Sequence, residues 1–129
     1  MSTKKKVLIV TDGTETIQLI AQSMIKAMAD YDAKLCTAGE FKGTDLLASG
    51  SFLLGCQTPN LDSFAYLEEM LSHINLASRK CGIFSVNKES LEYLESIVKD
   101  CEANLKAPLL VNNAKDISAL ENWLKEVQV

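Results

Sequence analysis

The chain has no surplus of positive charge, no stretch of membrane length, no CxxC pair and a single histidine, and each absence removes a class of function. With 13 Lys+Arg against 17 Asp+Glu the formal net charge is −4. A nucleic-acid binder wants a basic face for the phosphates, so no nucleic-acid partner is expected; an acidic protein leans instead towards basic protein partners. No apolar run approaches the roughly 20 residues that cross a bilayer, so no membrane association is expected. Residues 1–6 are basic, but the apolar segment after them, 7–10, is too short for a secretory signal. The expectation is a cytoplasmic location. The four cysteines, at 36, 56, 81 and 101, have no metal-ligand spacing and no histidine pair nearby, so no metal site is expected. Cys36, Cys56 and Cys81 stand in or beside apolar runs, where a buried free thiol is the simplest reading.

What is present describes an ordinary globular domain. The 129 residues are 47% hydrophobic and 23% charged, enough for one core and one domain over 1–129. There are no repeats, linkers or low-complexity segments. Short apolar runs recur at 7–10, 33–36, 52–54, 81–86 and 109–111, and they read as strands covered on both faces of a parallel sheet. Between them lie stripes of helical period: Ile17, Ile20/Ala21, Met24 and Ala27/Met28; Phe64, Leu67, Met70/Leu71 and Ile74; Leu91, Leu94/Glu95, Val98 and Cys101; Ile117, Leu120, Trp123/Leu124 and Val127. Asp62 or Ser63 can cap the second stripe, Asn87 the third and Asn113 the fourth. The stretch 39–50 is short and glycine-rich, which predicts a loop with one helical turn at 45–48. Strand and helix alternating through five strands give a doubly wound α/β domain.

Ligands of such sheets lie beyond the carboxyl ends of the strands, which restricts the search to the loops 11–16, 37–42, 56–61, 85–89 and 112–115. The first reads VTDGTET from Val10 to Thr16. A strand that ends in a Gly/Thr loop and opens a helix presents backbone N–H groups and the positive end of the helix dipole to an anion. Two carboxylates, Asp12 and Glu15, stand in that loop. A receiver domain needs an aspartate ending the third strand, and Gly55-Cys56-Gln57 supplies none. Phosphatases of this architecture need a cysteine in the first loop, and cobalamin binders a histidine; neither is there, because the one histidine is His73, late on the second predicted helix. Apart from Cys56 no loop holds a cysteine, and no acid/base or nucleophile constellation forms. Catalytic residues are therefore expected to be absent.

The order of elements, with VLIVTDGTET after the first strand, LLGCQTPNLDSF after the third, KESLEYLESI further on and LLVNNAKDISALENWLKEV at the end, resembles the flavodoxins over essentially the whole chain. The resemblance implies a three-layer α/β sandwich, a five-stranded parallel sheet of order 2-1-3-4-5 with helices on both faces. It also implies FMN as cofactor. The family's phosphate loop is Ser/Thr-x-Thr-Gly-Asn-Ser/Thr, and Leu54-Gly55-Cys56-Gln57-Thr58 matches the family's third-strand segment. Carried over, Thr11, Asp12, Gly13, Thr14, Glu15 and Thr16 would surround the phosphate. Gln57, Thr58, Pro59, Asn60 and Leu61 would cover one ring face, and Ser85, Val86, Asn87 and Leu91 the other. Two registers are open in the first loop. In one, Thr11, Thr14 and Thr16 match the first hydroxyl, the Gly and the last hydroxyl, with Glu15 replacing the Asn; in the other, Gly13 matches the motif Gly and Asp12 replaces the middle Thr.

Either register puts a carboxylate where a donor belongs. At about 4 Å and an effective dielectric near 20, such a pair of like charges costs on the order of 4 kcal/mol. The expectation is thus an FMN-binding electron-transfer protein with weakened flavin affinity, a monomer that would meet redox partners such as a flavodoxin reductase. The alternative is a cofactor-free flavodoxin-fold binding or regulatory module. The charge at Glu15 is expected to weigh most on FMN binding.

Overall fold

Val7 and Ile9 pack into one apolar cluster and Leu8 and Val10 into another, and all four are buried. Successive residues of a strand face opposite sides, so this strand is covered on both. The computed structural model describes residues 5–28, 31–40, 42–59, 62–77, 79–106, 108–111 and 117–127. Its elements run β1 (Lys5–Thr11), α1 (Glu15–Ala27), β2 (Tyr31–Thr37), α2 (Gly43–Ala48), β3 (Ser51–Gly55), α3 (Ala65–His73), β4 (Lys80–Ser85), α4 (Lys88–Val98), β5 (Asn104–Leu105), β6 (Leu109–Leu110) and α5 (Ile117–Val127).

All pairings are parallel, in the order β2-β1-β3-β4-β5, with β6 also pairing β4. The sheet therefore has the expected order 2-1-3-4-5, with its fifth position shared by two short pieces. Cys81 faces Leu105 and Phe84 faces Leu109, so three steps along β4 meet four along the fifth position. One extra residue is accommodated there, as in a β-bulge. Pro108, with no N–H to give, stands in the interruption. The strand expected at 109–111 is β6, Leu109–Leu110, and Asn104–Leu105 is an additional short strand that the apolar runs did not announce.

Helices cover both faces. Val7, Ile9, Leu53 and Phe84 pack with Ile17, Ile20 and Met24 of α1 and with Leu120, Trp123 and Leu124 of α5. Leu8, Val10, Phe52, Leu54 and Ile83 pack with Leu46 of α2, Leu67 and Leu71 of α3, and Leu94 and Ile97 of α4. At the edge, β2 is only half covered, and its Asp32 and Lys34 are exposed.

Helix starts follow local chemistry in part. Asn87 caps α4, its side chain accepting from the Ser90 N–H at 2.8 Å. The expected cap at Asp62 or Ser63 is replaced by a 3-10 turn, Asp62–Phe64; α3 then starts after Phe64 with no side-chain cap bond. The cap expected at Asn113 lies outside the described residues. The third stripe also ends differently: Cys101 is on a 3-10 turn, Lys99–Cys101, closed by Glu102 in the left-handed region at φ 62°. Between β2 and β3 the predicted single turn is a six-residue helix, Gly43–Ala48.

Candidate functional site

The carboxyl ends of β1, β3 and β4 bring residues 11–16, 56–59 and 85–91 to one end of the sheet. Gly13 holds a φ of +81°, which L side chains rarely adopt, and it is the described glycine with a positive φ. Thr14, at φ −67°, has no such need. That favours the register matching Gly13 to the family's glycine, with Asp12 at the middle threonine.

Asp12 is the centre of the arrangement. Its Oδ1 accepts from the Thr14 N–H at 3.1 Å and from the Thr14 hydroxyl at 2.7 Å. Its Oδ2 accepts from the Gln57 N–H at 2.7 Å, across 45 residues of sequence. The Gln57 carbonyl in turn accepts from Asn87 Nδ2 at 2.6 Å. Ser85, buried, donates its hydroxyl to the Cys56 carbonyl at 2.6 Å and accepts from the Asn87 N–H at 3.3 Å. The three loops are thus tied to one another by their own polar groups.

The threonines are engaged in the same way. Thr11 is fully buried; its hydroxyl donates to Gln18 Oε1 at 2.9 Å and accepts from the Gly13 N–H at 3.3 Å. Thr14 gives its hydroxyl to Asp12 and leaves α1 without a side-chain cap. Thr16 and Glu15 are exposed in the first turn of α1, where an acidic residue offsets the helix dipole. The inward carboxylate of the loop is Asp12, whereas Glu15 faces solvent. Hence the Thr11 and Thr14 hydroxyls and the Gly13 and Thr14 N–H groups are engaged within the loop, and the inward Asp12 carboxylate does not fit an FMN phosphate.

The ring-side residues are divided. Gln57, Pro59, Val86 and Asn87 are half-buried and Thr58 is exposed, whereas Leu91 is packed into the core beside α3. Asn60 and Leu61 lie outside the described residues, as does the loop after β6. Tyr93 turns inward, 6.2 Å from Phe64 between ring centres, and donates to Glu68 Oε2 at 3.2 Å. Sequence reasoning passed over Gln18, which fixes Thr11, and Ser90, whose fully buried hydroxyl lies beside the Cys56 thiol. Ser90 is three residues past the Asn87 cap, the one signal that pointed there.

None of the four cysteines is in a disulfide; Cys56, Cys81 and Cys101 are buried and Cys36 is half-buried. Burial, then the Asp12 carboxylate, pushes Cys56 up to about 12, while the nearby Ser90 hydroxyl pulls it partly back. Burial raises Cys36 to about 11 and Cys81 well above the ordinary 9.0. A thiol whose folded pKa is raised holds its proton in the folded state after the unfolded chain has lost it. Its contribution is complete below pH 9 and is lost as pH climbs from 9 towards 11–12. Urea midpoints should therefore fall steeply between pH 9 and 11, and replacing Cys56 and Cys36 by Ser should flatten that fall. Among the described residues no cluster of His, Cys, Asp and Glu suits a metal, and no helix is long and apolar enough to cross a membrane.

Solved structures share this architecture throughout. A Streptococcus pneumonia TIGR4 flavodoxin superposes with a TM-score of 0.78 at 16% identity, covering 95% of this chain and 97% of that one. The fold is the flavodoxin fold. A short-chain flavodoxin associated with a PDU bacterial microcompartment gives a TM-score of 0.79 at 11% identity, with 98% and 97% covered. Oxidised flavodoxin 2 from Bacillus cereus gives 0.76 at 19%, with 95% and 97% covered. No family model and no curated protein matches the chain. The flavodoxin fold is therefore kept at identities too low to carry the ligand residues with it. Those have to be read from the loops themselves.

Proposed function

We propose that this chain is a flavodoxin-fold electron-transfer protein whose hold on FMN is weak. The observation that carries this reading is the tie between the loops after β1, β3 and β4 through Asp12, Gln57 and Asn87. It keeps the cofactor end of the fold assembled while fixing a carboxylate, Asp12, where a phosphate would bind. Exposed Asp62, Glu68, Glu69, Glu89, Glu92 and Glu95 on the α3 and α4 side suit a basic redox partner. The protein acts as a carrier, in the cytoplasm and as a monomer, and not as a catalyst of its own.

The same tie favours a second reading, a cofactor-free binding module, because loops that satisfy one another need no ligand to be ordered. Titration decides between them. FMN added to the purified protein, followed by flavin fluorescence, should be quenched with a Kd between about 1 and 100 µM, or roughly −8 to −5.5 kcal/mol. No quenching at about 100 µM would overturn the carrier reading, and sub-micromolar binding would overturn the weak hold.

A further inference from the structure

We infer that Asp12 is the specificity-determining residue of this site: its carboxylate stands in for a ligand phosphate, so the flavin taken is one without a phosphate, riboflavin ahead of FMN. This rests on the flavin reading above and deepens it.

The geometry gives three donors to one carboxylate. Two come from Thr14, at 3.1 and 2.7 Å, and one from the Gln57 backbone at 2.7 Å. Bonds of this kind to a charged acceptor are among the stronger ones proteins make. A phosphate entering the loop has two courses. It can displace Asp12, which breaks all three bonds and leaves the 56–57 segment tied through Asn87 and Ser85. Or it can settle beside Asp12, where two negative charges share one helix start. At about 4 Å and an effective dielectric near 20, that repulsion alone amounts to roughly a thousandfold in affinity, and solvent reduces it.

An uncharged ligand meets neither obstacle. The isoalloxazine of riboflavin and that of FMN are the same, so anything gained on the ring side is common to both. Their difference lies in the phosphate, and the Asp12 charge acts on that difference, whereas its bond to the Gln57 N–H bears on both flavins alike. Specificity of this kind comes from a repulsive element as much as from an attractive one. Glu15, exposed to solvent, has much less leverage on the same charge.

The test compares riboflavin and FMN by fluorescence quenching, on the full chain and on Asp12→Asn. The natural chain should bind riboflavin at least about tenfold more tightly than FMN. Asp12→Asn removes the charge and one of the two acceptor oxygens; whatever the Gln57 segment costs both flavins alike, the ratio of FMN to riboflavin affinity should rise about tenfold or more. FMN equal to or tighter than riboflavin on the natural chain overturns the inference and leaves the flavin reading standing. Binding of neither flavin overturns the flavin reading and, with it, the riboflavin preference. Exclusion of anions by Asp12 is then read from a second measurement, amide NMR with inorganic phosphate. Shifts of Thr14 and Gln57 in Asp12→Asn but not in the natural chain support it; shifts in both, or in neither, overturn it. If the variant does not fold, the comparison on the natural chain decides alone.

Discussion

Gly55→Ala is expected to cost the fold about 3 kcal/mol, the upper end of what overpacking a core does. A Cβ on Gly55 would lie 2.3, 2.4 and 2.9 Å from Cζ, Cε2 and Cδ2 of Phe84, its partner across β3 and β4. Contacts that short are resolved only by moving the ring, and the ring has nowhere to go. Phe84 is fully buried and meets Trp123 edge-on, 6.3 Å between centres at 69°. Trp123 itself fills the space over Gly82, where a Cβ would come within 2.7 Å of the indole. Two glycines and two aromatics are thus interlocked, each ring occupying what its glycine lacks.

The consequence reaches the site, because Cys56 follows Gly55 and Ser85 follows Phe84, and these two are joined at 2.6 Å. Urea unfolding should show the loss as a lower midpoint with an unchanged slope. Gly55→Ala combined with Phe84→Leu should recover part of it, since the smaller side chain makes room, and the cycle should give a favourable coupling. A single-variant loss below about 0.5 kcal/mol, the range of ordinary surface changes, would show that the ring moves freely and that the interlock is wrong.

How much of this was legible beforehand divides along the range of the interactions. Local signals carried well. Ile17, Ile20, Ala21 and Met24 read as one stripe and are the buried face of α1; Asn87 read as a cap and is one. The strand order came through the resemblance and agrees with the pairings. Non-local or very short features did not carry. Asn104–Leu105 pairs with β4 over two residues, too few to register as an apolar run. The Asp62 cap gave way to a 3-10 turn because the chain enters α3 with Phe64 drawn into the core. In the site, the loop and its residue types were readable, but the role of Asp12 was not. Its partner Gln57 N–H is 45 residues away, and only the folded sheet brings β1 and β3 side by side. Glu15 looked like the charge that mattered because it is adjacent in sequence to the hydroxyls; orientation, which periodicity cannot supply, hands that part to Asp12.

Asn87→Ala should be the most damaging single change within the loops, at about 2–3 kcal/mol. One part is the lost cap on Ser90 N–H, worth roughly 1 kcal/mol. The other is the Gln57 carbonyl, which loses its 2.6 Å donor in a half-buried setting and costs about 1–2 kcal/mol more. The two parts separate by substitution. Asn87→Ser keeps a capping oxygen but cannot reach Gln57, so it should restore only the first. Asn87→Asp also caps, and adds favourable charge at the helix start, but turns an acceptor against the Gln57 carbonyl and should recover no more than Asn87→Ser. Thermal unfolding at about 3–5 °C per kcal/mol for a chain of this size resolves all three variants. The order expected is natural chain, then Ser and Asp together, then Ala. Were Asn87→Asp to match the natural chain, the bond to Gln57 would contribute nothing, and the loop after β3 would be held, among the described residues, by Asp12 and Ser85. Amide exchange gives an independent readout. Loss of the Asn87 link should speed exchange in residues 57–59 well before it does so in β3, because the opening is local and the strand is not touched.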